Sequence, residues 1–335
     1  MSLKLNTKHI DYLNIFLIAL SFLLAVIFPF ELFILVYAIL GPLHYLTEIR
    51  WLHKKDYFSG TKSLLWIFSI FAFVFSIPYI TQLPVFENST IKSGLNFIAI
   101  YTNNFVFFAL IFSLALVLFK KRKYQILFIV AGILIAIISS GSVSNNLLIG
   151  SFLTTIIHVY IFTLLFMLYG ALKSKSYPGI FASALALFVP IIIFKMEALP
   201  ANYVIAEWSK TIFTTNNFHF LNLNLASIFG IGDGTAFYFY EKPFLKIQTF
   251  LAFAYTYHYL NWFSKTSIIG WHKMLSKRNS IIVAVAWIVS VLLYAIDYRA
   301  GFILLVFLST LHVFLEFPLN MVSIKGIGEE IRKRL

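Results

Sequence analysis

The chain has no cysteine. That excludes disulfides and thiolate metal sites. Charge is scarce as well. Asp, Glu, Lys and Arg make up 12% of the 335 residues, where a soluble domain carries roughly a quarter. So few charges cannot cover a water-facing surface. Acid is the scarcest class, with 13 Asp+Glu against 26 Lys+Arg and a formal net charge of +13. In a soluble protein that excess points to nucleic acid. In a membrane protein it reports orientation. What the chain has in abundance is apolar surface: 60% hydrophobic residues and a mean hydropathy of +0.88.

The apolar residues form runs near 11–29, 31–50, 63–83, 97–119, 124–141, 147–172, 179–194, 243–264, 280–297 and 301–323. Each approaches the ~20 residues a helix needs to cross a bilayer. The runs are too long and too continuously apolar for barrel strands. The first is not patterned as a cleavable signal peptide, because no small-x-small site follows it and the chain passes directly into the second. With the N-terminus inside, the external segments hold only Lys92, Lys195, Lys210, Lys242, Lys246 and Arg299 of the 26 basic residues. The other 20 fall inside, as the positive-inside rule requires. The expectation is an all-α polytopic helix bundle of about 10 transmembrane helices. Both termini lie inside, and 1–335 forms one domain in a bacterial cytoplasmic (inner) membrane. Its partners are membrane lipids and a lipophilic small molecule or lipid; the charge needs no nucleic acid.

The longest loop, 195–242, is external. A structureless loop of that length is uncommon and often functional. Its Phe, Leu, Ile and Trp content suggests a lid or re-entrant segment, with a plain linker as the alternative. Its Gly230-Ile231-Gly232-Asp233-Gly234 cluster lacks the Gly-Lys-Ser/Thr of a phosphate loop.

Ionisable residues within spans are costly, and each is a functional hypothesis. Here they are His44 and Glu48, His158, His258, and His312 with Glu316. All four His lie on even-numbered spans, which run in the same direction. Their distances to the next inner basic residue place them within roughly 13 Å of one another in depth. Such placement is the pattern of a site built in a bundle core. Glu48 and Glu316 each follow a His by four residues, on the same helix face. Each pair can point at one site, or each Glu can hold its own His in the correct tautomer. Glu48, two residues before Arg50, can also be read as an inner-headgroup residue. Imidazole with carboxylate and no thiolate suits Fe, Zn, Cu or Ni. Tyr255 and Asn261 flank His258 as candidate substrate-binding residues. Trp262 and Lys265 read as interfacial. Asn103 and Asn104 serve either as helix–helix glue or as substrate contacts. The 38 Phe suit a pocket for a flat or polyene substrate, and equally suit lipid-facing bulk.

The His blocks resemble the bacterial membrane β-carotene 15,15′-dioxygenases of the Brp/Blh type. That family has a Pro-His-Gly-x-x-Asp block early in the chain. Here Gly41-Pro42-Leu43-His44 leads to Glu48 at the same spacing, with Pro two residues before the His. The Ile-His-Phe block is similar to Ile157-His158-Val159. The His-x-x-x-His block is similar to His258 with Trp262 in the second His position. The late Pro-His block is similar to Leu311-His312 with Glu316. The resemblance covers about forty residues. It implies a non-haem Fe(II) centre held by His44, His158, His258 and His312, and oxidation of a hydrophobic substrate with O₂. Glu48 and Glu316 would be the acidic partners in catalysis. Two other readings remain open on the residues alone. One is a transporter using the His and Glu as a proton relay. The other is a haem protein with paired axial His. Zinc in place of iron is equally compatible with the donor set.

Overall fold

The computed structural model describes residues 7–54, 62–86, 92, 94–95, 101–140, 142, 146–197, 203–232, 235–265 and 277–334. The first residues of the fourth predicted span (97–100), the segments 55–61 and 266–276, and Asp233 and Gly234 of the glycine cluster lie outside them. Helices are the regular secondary structure of the described residues, with no strand among them.

Ten helices coincide with the ten predicted runs. They are α1 (Thr7–Ile27), α2 (Pro29–Lys54), α3 (Lys62–Ile80), α4 (Thr102–Leu118), α5 (Arg122–Ser139) and α6. The last is wound as a π-helix over Asn146–Phe162 and as an α-helix over Thr163–Ser174. After α6 come α7 (Tyr177–Lys195), then α8 (Glu207–Thr215) and α9 (Phe218–Ile228) within the long loop. The chain ends with α10 (Lys242–Ser264), α11 (Lys277–Ile296) and α12 (Tyr298–Arg332). Seven of the described helices are long and apolar enough to cross a membrane: α1, α2, α5, α6, α7, α11 and α12. α3 and α4 are shorter apolar helices. The protein is a helical membrane protein.

The boundaries follow local chemistry. α1 and α2 are separated at Phe28, where two backbone bonds (Phe28 N to Leu24 O, Leu32 N to Phe28 O) carry the chain over the break. Ser176 caps α7 by accepting from Gly179 N, and Asp297 caps α12 by accepting from Arg299 N and Ala300 N. Pro42 and Pro318 sit inside α2 and α12 without ending them. Each lacks the N–H that would bond the carbonyl four residues back.

α2, α6, α10 and α12 form the centre. α10 packs along α2 and α1, while α12 packs along α3, α2, α4 and the end of α6. α5 and α11 lie at the rim, with 11% and 17% of their apolar stretches buried. The polar pair expected on α4 joins helices at Asn104, whose Nδ2 donates to Ser140 Oγ at 2.6 Å. It takes no part in the central cluster.

The long loop is folded and anchored. Glu31, at the start of α2, accepts from Tyr203 Oη at 2.6 Å and from Ala206 N at 2.8 Å. Phe213 of α8 is fully buried against Phe30, with ring centroids 4.9 Å apart. Asn222 of α9 donates to Gln248 Oε1, and Gln248 Nε2 donates to Pro29 O, each at 3.0 Å. The α8–α9 turn passes through Asn217 at φ +61°, a left-handed position that Asn tolerates better than most residues.

Candidate metal centre

The four His meet in the middle of the bundle. Nε2 of His258 on α10 lies 3.0 Å from Nε2 of His44 on α2. Nε2 of His158 on α6 lies 3.3 Å from Nε2 of His312 on α12. Ring centroids of neighbouring pairs are 4.6 to 5.4 Å apart around the cluster. His44, His258 and His312 each offer a ring nitrogen, all within 4.8 Å of one another, a group that could hold a metal ion. The four His and both Glu are buried, none more than 8% exposed.

Both carboxylates reach the cluster. Glu48 Oε2 is 3.1 Å from its own helix's His44 Nε2. It is not an inner-headgroup residue, being 1% exposed. Glu316 Oε2 crosses to His158 Nδ1 at 3.1 Å and not to His312 on its own helix. In neither contact is a hydrogen bond formed, so both Oε2 atoms are buried without a donor. Buried carboxylate oxygens lacking donors are costly. A cation among them would offset that cost.

One tautomer can be read from the hydroxyl beside it. Thr163 Oγ1 donates to Val159 O at 2.7 Å, so its contact with His258 Nδ1, also 2.7 Å, takes the imidazole proton. His258 Nε2 is then a lone pair, aimed at His44. Two imidazoles on one metal with bonds of about 2.0–2.1 Å hold their nitrogens about 3.0–3.4 Å apart. The observed 3.0 and 3.3 Å separations match. A cavity of about 20 Å³ lies beside His44, Glu48, His258 and Glu316, walled by Phe166, Trp262 and Leu319. That volume suits one water or one small ion.

The flanking residues divide. Tyr255, one turn before His258, lines a larger cavity of about 370 Å³ on the side of α8 and α9. Asn261, one turn after it, lines the small cavity and not the larger one. The two therefore do not share a pocket. Trp262 is not an interfacial residue. It is buried, its ring centroid lies 5.6 Å from that of His44, and its Nε1 donates to Thr47 Oγ1 at 3.0 Å. Lys265 lies with its Nζ 4.8 Å from the centre of the Phe166 ring. Thr163 gave no signal in the sequence. It stands five residues after His158, a spacing that shares a face only when the backbone winds as the π-helix of α6 does.

No family model, curated protein or solved structure matches this chain. The argument for function therefore rests on the centre itself.

Proposed function

We propose that the protein is a membrane-embedded, His-ligated metal oxygenase, with non-haem iron, acting on a lipophilic substrate from within a bacterial cytoplasmic membrane. It would span that membrane ten times with both termini inside. The observation that carries the reading is the convergence of the imidazole nitrogens, with two donor-less carboxylate oxygens beside them, in an interior with room for one ion. The resemblance of the four His blocks to the membrane carotenoid dioxygenases adds iron and O₂ to it.

His44, His158, His258 and His312 would hold the metal. Bound iron supplies the redox chemistry that activates O₂. The chain does the rest. Thr163 keeps the Nδ1 proton on His258 and leaves Nε2 free. Glu48 and Glu316, beside His44 Nε2 and His158 Nδ1, would balance the cation's charge. Phe166, Trp262 and Leu319 close the inner side against water. The larger outer cavity, with Tyr255 in its wall, would admit the substrate.

A second reading has its own observation. His258 lies 3.0 Å from His44 and 2.7 Å from Thr163, and Glu48 Oε2 lies 3.1 Å from the same His44 nitrogen, the kinds of group a proton relay uses. Metal analysis of the purified protein separates the two. Stoichiometric iron, lost in His258→Ala, supports the oxygenase. Zinc would keep the centre and change the chemistry to hydrolysis. A metal-free wild type would leave the relay.

A further inference from the structure

Arg299 is the only charged side chain among the residues lining the outer cavity. The lining is graded. Gln82, Thr215, Asn217 and Arg299 are exposed, whereas Phe218, Ile303, Val306, Thr310 and Phe314 are buried. The cavity therefore has a polar mouth and a depth walled by aromatic and aliphatic side chains, with Thr155 and Thr310 among them. Along α12, the span from Arg299 at the mouth to Ser309 on the floor is about 15 Å, and to His312 about 20 Å, at 1.5 Å per residue. That is the length of a long-chain acyl group. The volume, about 370 Å³, lies at the lower end of ligand pockets and admits one chain.

The charge at the mouth is available. The nearest acid in sequence, Asp297, uses Oδ1 to cap α12. No ion pair of the Arg299 guanidinium occurs among the described residues. An unpaired guanidinium above an apolar shaft selects an anionic head on a hydrocarbon tail, because its planar fork binds carboxylate or phosphate.

We propose that the outer cavity binds a single-chain anionic amphiphile. The head would sit on Arg299, and the tail would run inward along Phe302 and Tyr255 towards the His centre. This rests on the proposed oxygenase for the fate of the tail, but not for the binding. A neutral polyene would use the same shaft and leave Arg299 without a role.

The test is equilibrium binding of radiolabelled palmitate to the full-length protein in a non-ionic detergent. Methyl palmitate and 1-palmitoyl lysophosphatidate serve as competitors, and metal content is measured in parallel. Palmitate is expected to compete about tenfold better than its methyl ester, as a charge-assisted contact implies. Arg299→Gln should erase the difference, and Arg299→Lys should keep most of it. Strong competition by lysophosphatidate would extend the head to phosphate within the same proposal. Equal competition by palmitate and its methyl ester, or a preference that survives in Arg299→Gln, overturns it. A metal-free wild type that still binds palmitate through Arg299 would overturn the oxygenase and leave this site standing.

Discussion

α5, of 18 residues, and α10, of 23, have opposite fates. α5 is apolar enough to count as a span, yet of its 18 residues only Gly132 and Ala136 are buried. α10 is not apolar enough to be counted among the seven, yet 16 of its 23 residues are buried. The reason is chemical. A helix facing lipid satisfies its backbone internally and needs nothing but apolar side chains. A helix carrying Gln248, Thr249, Thr256, His258 and Asn261 must find partners for them, so it goes to the centre. Hydropathy alone does not sort centre from rim, since α12 is more apolar than α5 and 72% of its apolar stretch is buried; the polar side chains a helix carries do.

The sharpest way to break this comparison is at His258. If α10 is central because it carries the metal, His258→Ala should lower bound metal at least tenfold while the protein still extracts as a folded monomer or oligomer of wild-type size. Unchanged metal content, measured by mass spectrometry, would mean that α10 is buried for packing alone. The next test acts through the same residue without touching a ligand. Thr163→Val removes the acceptor for the His258 Nδ1 proton. Loss of such a partner costs about 10–100-fold in metal affinity, readable by competition with a chelator. Thr163→Ser should restore it, which a purely structural role for the methyl group would not predict.

Much of this was legible in the residues. Ten runs gave ten helices, and four His at matched depth gave one cluster. Both succeed because lipid makes polarity expensive, so the exceptions are informative. Three features were not legible. Glu316 sits four residues after His312, and helix geometry alone cannot say that it reaches His158 on another helix. Trp262 reads as a belt residue because its end-of-span position looks interfacial; only the packing of α2 against α10 places it beside His44. The loop 195–242 carries no clean period, because α8 and α9 are short and fastened from outside by Glu31, Gln248 and Ser151.

A smaller effect is expected at Gln248, which links α10 to α9 and to the α1–α2 break. Gln248→Leu keeps the volume near constant but leaves Asn222 Nδ2 and Pro29 O without their partner. Stranding buried polar groups costs about 1–3 kcal/mol. Thermal denaturation followed by fluorescence should register that loss, with metal content unchanged. Loss of metal together with stability would show that the anchor of α9 and the centre are one cooperative unit.

The smallest effect belongs on α5. Ile138 is 84% exposed, with only lipid for a neighbour if the rim assignment holds. Lipid tails are as apolar as the side chain they touch, so association between helices in a bilayer has no hydrophobic drive. Ile138→Ala should therefore leave stability unchanged within about 0.5 kcal/mol, the usual range for substitutions away from packed features. A loss of 1 kcal/mol or more, measured by the same thermal assay, would mean that α5 is covered by protein. The contrast with α10 would then be between two buried helices, one facing a metal and the other a second chain. Size-exclusion chromatography of Ile138→Ala against wild type would register the lost contact as a smaller particle.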